Sequence, residues 1–442
     1  MNTSLSDAEA ELADPARSVV EEYYETKSEP LPWGEEFGRV YTEVGNTVSY
    51  DNNVIHVSTM LTLVSRALRQ TKIRHENRVL SPVLHTLAIQ KSGSGKSPAL
   101  DFARMVGEMA GYDVRQSGDL TSAGLIGGVR DGDVHPGIAK RYDIIGFDEA
   151  STLFRIASGS YDENFAEHLN NILDGRKVTK DLATGNLEYK PKCALTGVTY
   201  PPDDIDYERF MNNGTLSRFF IFYRPIDFEF YRSTGEKILR GARETRPDDP
   251  NDHDTTEQLM VDIQRLGTVI KAIQQNYDPG FQFDHRFGEE TQQLVIDTVY
   301  GTYEQYPDYV QELVEPDLNR MVENALKLGA VMAALDYCSQ VVSDSHMESA
   351  AMLIERSWRQ SLDFFESHYQ PETIEDEPAL NDSTRRMLKA LFRDDPKTQD
   401  EVADEIDRSK RMIREYAAEL ESLGLIDEVT LDGKKGYKLK TN

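Results

Sequence analysis

Apolar and polar positions along the chain change period several times, and each change marks an element. From Asn53 to Gln70 the apolar residues Val54, Val57, Met60, Leu61, Val64 and Leu68 recur at helical spacing, which predicts a helix. Residues 80–89 (LSPVLHTLAI) form a short apolar run and predict a buried strand. From there to about residue 226, strands and helical stretches alternate, the mark of an α/β domain with a mostly parallel sheet. Ile144, Ile145 and Phe147 predict one of those strands, residues 192–199 (KCALTGVT) another, and the run after Arg218 a third. Residues 235–256 are polar with Pro and Asp and predict a loop or linker. Residues 257–369 are largely helical, with long apolar-faced stretches at 318–338 and 347–365. Residues 1–30 show little periodicity beyond a helix over 14–26, with Asp14 as cap and Pro15 at its first position. That segment is expected to be a mobile or loosely docked tail. Residues 371–383 form a Pro-rich acidic linker, and 384–442 a final small module.

Composition narrows the class. The chain has 442 residues, of which 39% are hydrophobic, enough for two to four domains with their own cores. No apolar run approaches a membrane span, and the N-terminus lacks the pattern of a signal peptide. A soluble cytoplasmic protein without a membrane partner is expected. Two cysteines, Cys193 and Cys338, rule out a disulfide scaffold and a cysteine-rich zinc site. The net charge of −28 argues at first sight against a nucleic-acid partner.

Residues 87–97 (LAIQKSGSGKS) change that picture. A buried strand runs into a Gly-rich turn, and Lys96-Ser97 opens a helix, which is the context of a phosphate-binding loop. The candidate cradle is Ser92, Gly93, Ser94, Gly95, Lys96 and Ser97. The glycines let backbone N–H groups turn toward phosphate oxygens, and the helix N-terminus adds positive partial charge. Lys96 would reach the β- and γ-phosphates of ATP, and Ser97 would ligate Mg²⁺. Gln90 stands where the usual pattern has its first glycine, six residues before the lysine.

About fifty residues later, the strand at 144–147 delivers Asp148-Glu149 at its C-terminal end. Open α/β sheets bind ligands at that edge. Asp148 would hold Mg²⁺ through water, and Glu149 would polarise the attacking water. The strand 192–199 ends in Thr199, a candidate to orient that water, with Thr196 as the competing position. Arg218 follows, at the start of the apolar run FFIFY.

These motifs, in this order, resemble the AAA+ ATPases. Within them the LSRF segment around Arg218 is similar to that of the minichromosome maintenance (MCM) replicative helicases and their plasmid and viral relatives. The resemblance covers roughly residues 80–365. It implies an α/β P-loop AAA+ core over 80–234 and an α-helical lid over 235–370, after an N-terminal tail and helical segment over 1–79. It implies that Arg218 acts as a finger on a neighbouring subunit's ATP, in a homo-oligomeric ring such as a hexamer. It makes Arg320, near the start of the helix over 318–338, a candidate γ-phosphate contact. It also sets a hairpin, with strands over 178–182 and 187–190 and a turn at Thr184-Gly185-Asn186, where the family projects one into its central channel. There Arg176, Lys177, Lys180, Lys190 and Lys192 form a basic patch suited to DNA phosphates. The family's N-terminal oligonucleotide-binding domain and zinc module have no counterpart in residues 1–79. The expectation is therefore a reduced, MCM-like ATPase of a plasmid, virus or integrated element, with replication proteins as further partners.

Residues 384–442 predict a winged helix-turn-helix: helices over 385–392, 398–406 (with a Thr398/Glu401 capping box) and 409–423, then strands over 428–431 and 436–439 around Asp432-Gly433. Lys410, Arg411, Arg414, Lys434 and Lys435 are its candidate DNA contacts. From Thr384 to Asn442 there are 13 basic and 13 acidic residues, so the remainder carries the whole −28. Acidity spread over the rest of the chain resembles haloarchaeal proteins of high-salt cytoplasm. The expected function is an ATP-dependent DNA helicase or translocase. The alternative is an ATP-switched DNA-binding initiator or regulator, and a third possibility is the ATPase of a defence system.

Overall fold

The computed structural model describes residues 9–27, 29–49, 52–75, 78–118, 120–130, 133–158, 164–182, 185–201, 210–211, 214–244, 251–369, 396–406, 408–423, 425–431 and 433–440, with Thr384, Met387, Leu388, Ala390 and Leu391. The chain forms two units, Met1–Gln370 and Pro371–Asn442.

The first unit is an α/β fold around five strands: β1 (His85–Ile89), β2 (Val114–Ser117), β3 (Ile144–Phe147), β4 (Ala194–Thr199) and β5 (Phe219–Tyr223). All five are parallel, in the order β5-β1-β4-β3-β2. Strands β1, β3, β4 and β5 are buried at every position, which is why their sequences read as continuous apolar runs rather than alternating ones. Edge strand β2 alternates in part, as a half-covered strand should. Edge strand β5 is buried because a long helix, α8 (Asp344–His368), covers it. Ser357 Oγ of α8 donates to the Ile221 carbonyl at 2.6 Å, closing part of the open edge.

The N-terminal helices belong to the same core. They are α1 (Asp14–Thr26), α2 (Glu35–Val48) and α3 (Asn53–Ala67). Helix α3 lies on the sheet and is buried nearly throughout; Thr62 Oγ1 shares a hydrogen bond with Thr86 Oγ1 of β1 at 2.8 Å. Helix α1 falls where its periodicity predicts, but it is not a loose tail. Its residues Ala16, Val19, Val20 and Tyr23 are buried in the main core. Ala13, not Asp14, is its N-cap; Asp14 is the first helical residue and no side chain caps the helix.

Two further expectations need correction. The strand expected over 80–89 begins only at His85. Pro82 has no N–H to give a ladder, and Arg78–Leu80 instead pairs antiparallel with Ile73–His75. The loop expected over 235–256 is mostly helix: α5 runs Phe228–Glu244 and α6 runs Asn251–Asn276, with 245–250 outside the described residues. Phe230 and Thr234 are buried anchors one turn apart, Arg232 and Glu236 pair at i,i+4, and the following Glu, Lys, Leu and Arg are good helix formers. The polar composition suggests a loop because one face of this helix is in solvent, and the Pro and Asp residues at 247–250 lie outside the described residues. Helix α7 (Leu318–Leu335) and α8 match the two apolar-faced stretches.

The second unit has a helix Gln399–Glu405, capped as expected by the Thr398/Glu401 box, and a helix Lys410–Ser422 capped by Ser409. Strands Ile426–Leu431 and Lys434–Leu439 pair around Gly433 (φ 75°). A third short strand, Lys397–Thr398, adds to the two expected strands. The helix expected over 385–392 falls only partly on described residues, of which Met387, Leu388 and Leu391 are helical and sit in this unit's own core with Val402, Ile413 and Tyr437. Among the described residues no helix is long and apolar enough to cross a membrane.

Candidate functional site

The parallel sheet sends all its strand ends to one edge, and there β1, β3 and β4 bring their polar residues together. The loop after β1 turns with Gly93 and Gly95 at φ 80° and 79°, conformations that cost a side-chain residue strain. Gly95 then caps α4 (Lys96–Met109). Lys96 Nζ donates to the Gln90 carbonyl at 3.1 Å and so lies across the loop. Burial lowers the Lys96 pKa, opposed by the charges of Glu149 and Asp148.

Ser97 and Asp148 meet directly: Ser97 Oγ lies 2.9 Å from each Asp148 carboxylate oxygen. Thr199 Oγ1 donates to Glu149 Oε1 at 2.5 Å. Its rival Thr196 is buried within the sheet against Thr86, at 3.0 Å, away from the acidic pair. The strand order explains these pairings. Because β4 lies between β1 and β3, its last residue stands between the phosphate loop and the carboxylates. The Gln90 N–H donates to the Thr199 carbonyl at 2.8 Å, tying the loop to the same strand end. A hydroxyl and a carboxylate within one hydrogen bond are a hard-oxygen donor set of the kind Mg²⁺ takes alongside water and phosphate oxygens. Among the described residues no three His, Cys, Asp or Glu gather as a metal cage.

Arg218 and Arg320 are brought together with each other, but not with Lys96. Arg218 immediately precedes β5, whose first residue pairs with His85 at the start of β1, whereas the phosphate loop follows the end of β1. The strand length alone separates them by on the order of 15 Å. At this N-terminal edge Arg218 grips Asp174 with two hydrogen bonds, Nε to Oδ1 at 2.8 Å and Nη2 to Oδ2 at 3.0 Å. Arg320 Nη1 stands 3.9 Å from the same carboxylate, and Arg176 Nη2 3.6 Å from it. Burial alone would raise the Asp174 pKa; the bonds and charge of Arg218, with Arg176 and Arg320, hold it below its usual value. Asp317 next to them is buried, which pushes its pKa up to about 7 despite the nearby Ser217 hydroxyl and the charges of Arg320 and Arg218. A cavity of about 720 Å³ opens here, lined by Arg78, Asp174, Arg176, Arg320, Glu323 and Lys327.

The basic hairpin is present, with strands Val178–Leu182 and Gly185–Tyr189; Ala183 and Thr184 of its turn lie outside the described residues. A second hairpin, Gly127–Arg130 with Asp133–Pro136, packs beside it: a Cβ on Gly127 would come within 2.6 Å of Leu187. Lys190 is exposed, Lys177 pairs with Glu188 at 2.5 Å, and Lys180 reaches Ser122 at 3.5 Å. Arg176 belongs to the arginine cavity as much as to the hairpin. Lys192 lies off the hairpin and is held between Asp113 at 3.2 Å and Asp143 at 3.4 Å. In the second unit Lys410, Arg411, Arg414 and Lys434 are exposed. Lys410 pairs with Asp400 at 2.6 Å, Arg411 with Glu415 at 3.1 Å, and Lys435 with Glu428.

Three residues at the site escaped the sequence. Tyr231 of α5 donates its hydroxyl to the Ser92 carbonyl at 2.8 Å, and its ring would lie 3.2 Å from a Cβ on Gly93. Asp174 anchors the arginines, and Asn52 reaches the phosphate loop from the N-terminal segment. None carries a local motif, since each acts through a contact distant in sequence. No protein-family model matches the chain, and no curated protein matches its sequence.

Proposed function

We propose that the protein is an ATP hydrolase that acts on DNA as a ring of identical subunits, an MCM-like AAA+ helicase or translocase with a helical lid and a C-terminal winged helix. The observation that carries this reading is the meeting of Ser97 with Asp148 and of Thr199 with Glu149 at the edge where Lys96 crosses its glycine loop. ATP is the substrate. Lys96 and the loop N–H groups hold its phosphates, Glu149 takes the proton of the attacking water, and Thr199 fixes the carboxylate that does so. Ser97, and Asp148 through water, would hold Mg²⁺, which when bound would supply neutralisation of charge on the phosphate oxygens. Catalysis is positioning and electrostatics, with no covalent intermediate on the protein.

The separation of Arg218 and Arg320 from Lys96 supports a shared site. Neither arginine serves the nucleotide of its own chain, so the arginine edge of one subunit serves the loop edge of the next. The paired hairpins and the second unit's exposed basic residues are the DNA contacts. High salt weakens each such contact, so several must act together.

An ATP-switched initiator is the second reading, favoured by the distinct C-terminal unit whose helix Lys410–Ser422 carries exposed Lys410, Arg411 and Arg414. A strand-displacement assay in molar KCl, with wild type and Lys96→Ala, separates the two. Unwinding that needs ATP and is lost in the variant supports the helicase. ATP-dependent DNA binding without unwinding supports the initiator. A wild type that does not hydrolyse ATP in the presence of DNA removes the enzymatic reading.

A further inference from the structure

The residue that breaks the phosphate-loop pattern is also the loop's anchor. Gln90 is fully buried, as are Asn52 and Ser94. The Gln90 and Asn52 side-chain amides pair reciprocally: Gln90 Nε2 donates to Asn52 Oδ1 at 3.0 Å, and Asn52 Nδ2 donates to Gln90 Oε1 at 2.5 Å. Asn52 Nδ2 also donates to the Ser94 carbonyl at 2.8 Å. One amide therefore clasps both ends of the turn, Gln90 where it leaves β1 and Ser94 just before Gly95-Lys96. Asn52 is itself fixed, since its N–H donates to Asn46 Oδ1 at 3.0 Å and Asn46 Nδ2 donates to Asn53 Oδ1 at 2.8 Å.

Gln90 is a node as well. Its N–H is bound by Thr199, its carbonyl by Lys96, and its side chain by Asn52. A shift of its side chain moves the loop groups that face the phosphates. A glycine at this position needs no such support. A buried amide does, because an unpaired one pays its full desolvation cost.

We propose that Asn52 is a positioning residue for the phosphate loop, and that the Asn52–Gln90 pair makes nucleotide affinity depend on the docking of helices α2 and α3. The inference rests on the ATP site described above. It gives Gln90 a purpose and gives the N-terminal segment a hold on the nucleotide.

The test is a titration of the full-length protein with a fluorescent ATP analogue and Mg²⁺, alongside steady-state hydrolysis, for wild type, Asn52→Asp and Asn52→Ala. Asn52→Asp keeps the shape but removes both donated bonds. The expected result in both variants is a nucleotide Kd and KM raised about tenfold or more, with kcat within about twofold and the nucleotide-free protein still folded. The second arm is a cycle with Gln90→Gly, which restores the usual glycine. In that background the effect of Asn52→Asp should shrink by at least about threefold, because one of its two lost bonds no longer exists. That arm also decides the matter should Asn52→Ala not fold. A wild type that binds no nucleotide would remove the site itself. A wild type that binds, with an unchanged Kd in Asn52→Asp or an undiminished effect in the Gln90→Gly background, overturns the clasp alone.

Discussion

The two edges of the parallel sheet are built from the same five strands and differ in every chemical respect. At the C-terminal edge, short polar side chains from different strand ends pair with one another: Ser97 with Asp148, Thr199 with Glu149. At the N-terminal edge, one carboxylate, Asp174, gathers three arginines from three segments. The first edge supplies turning N–H groups, hard oxygens and one lysine. The second has charge-dense guanidinium groups and open space beside them. On the function proposed above, each holds half of what phosphoryl transfer needs, and the sheet keeps the halves apart. On that proposal, completeness is a property of an interface between copies rather than of one chain.

The comparison breaks most sharply at Lys96 and Arg218. Lys96→Ala should lower kcat/KM for ATP by about 10³-fold and weaken nucleotide binding, measured by hydrolysis and by titration. Arg218→Ala should lower kcat by about 10³-fold while leaving nucleotide binding to the isolated subunit unchanged. If both variants lose binding equally, the two edges do not divide the work.

Asp174 sharpens the account of the second edge. Asp174→Asn leaves Arg218 and Arg320 without their shared counter-charge in a mostly buried place. Chemical denaturation should show a loss of about 3 kcal/mol, and ATP turnover should fall about tenfold as the arginines lose their aim. Unchanged turnover would mean that Asp174 serves stability alone.

Asp317 adds a test of a different kind, on pH dependence. Asp317 has its carboxyl pKa raised from 3.8 to about 7 by burial. The folded state then binds a proton that the unfolded state has released, so stability falls as pH rises between about 4 and about 7 and is level above that. Asp317→Asn removes this component. Denaturation midpoints followed across that range should flatten relative to wild type. An identical slope in the variant would assign the titration to other groups.

What the sequence disclosed follows from range. Lys96-Ser97, Asp148-Glu149 and the buried strands around them announce themselves locally, through glycines, apolar runs and their order. The choice of Thr199 over Thr196 follows from the strand end that Thr199 occupies. The supports were invisible because they are distant contacts: Asn52 lies 42 residues before Ser94, and Asp174 lies 44 before Arg218. Amphipathic segments misled in another way. Residues 14–26 read as a helix in a loosely docked tail, and 235–256 as a loop, because polar residues outnumber the few apolar ones that dock these helices. Lys192 illustrates the limit of charge counting: it sits in a basic cluster of the sequence, yet two carboxylates hold it at the sheet.

The central claim, that one subunit's loop edge is completed by another's arginine edge, is tested by mixing. Lys96→Ala and Arg218→Ala subunits, each inactive alone, are combined in equal amounts under assembling conditions and assayed for ATP hydrolysis. Where an Arg218→Ala subunit offers its intact loop to a Lys96→Ala neighbour's intact arginine, the site is whole. Random assembly makes about one interface in four of this kind, so about a quarter of wild-type activity should return. A mixture no more active than its two components would contradict the account.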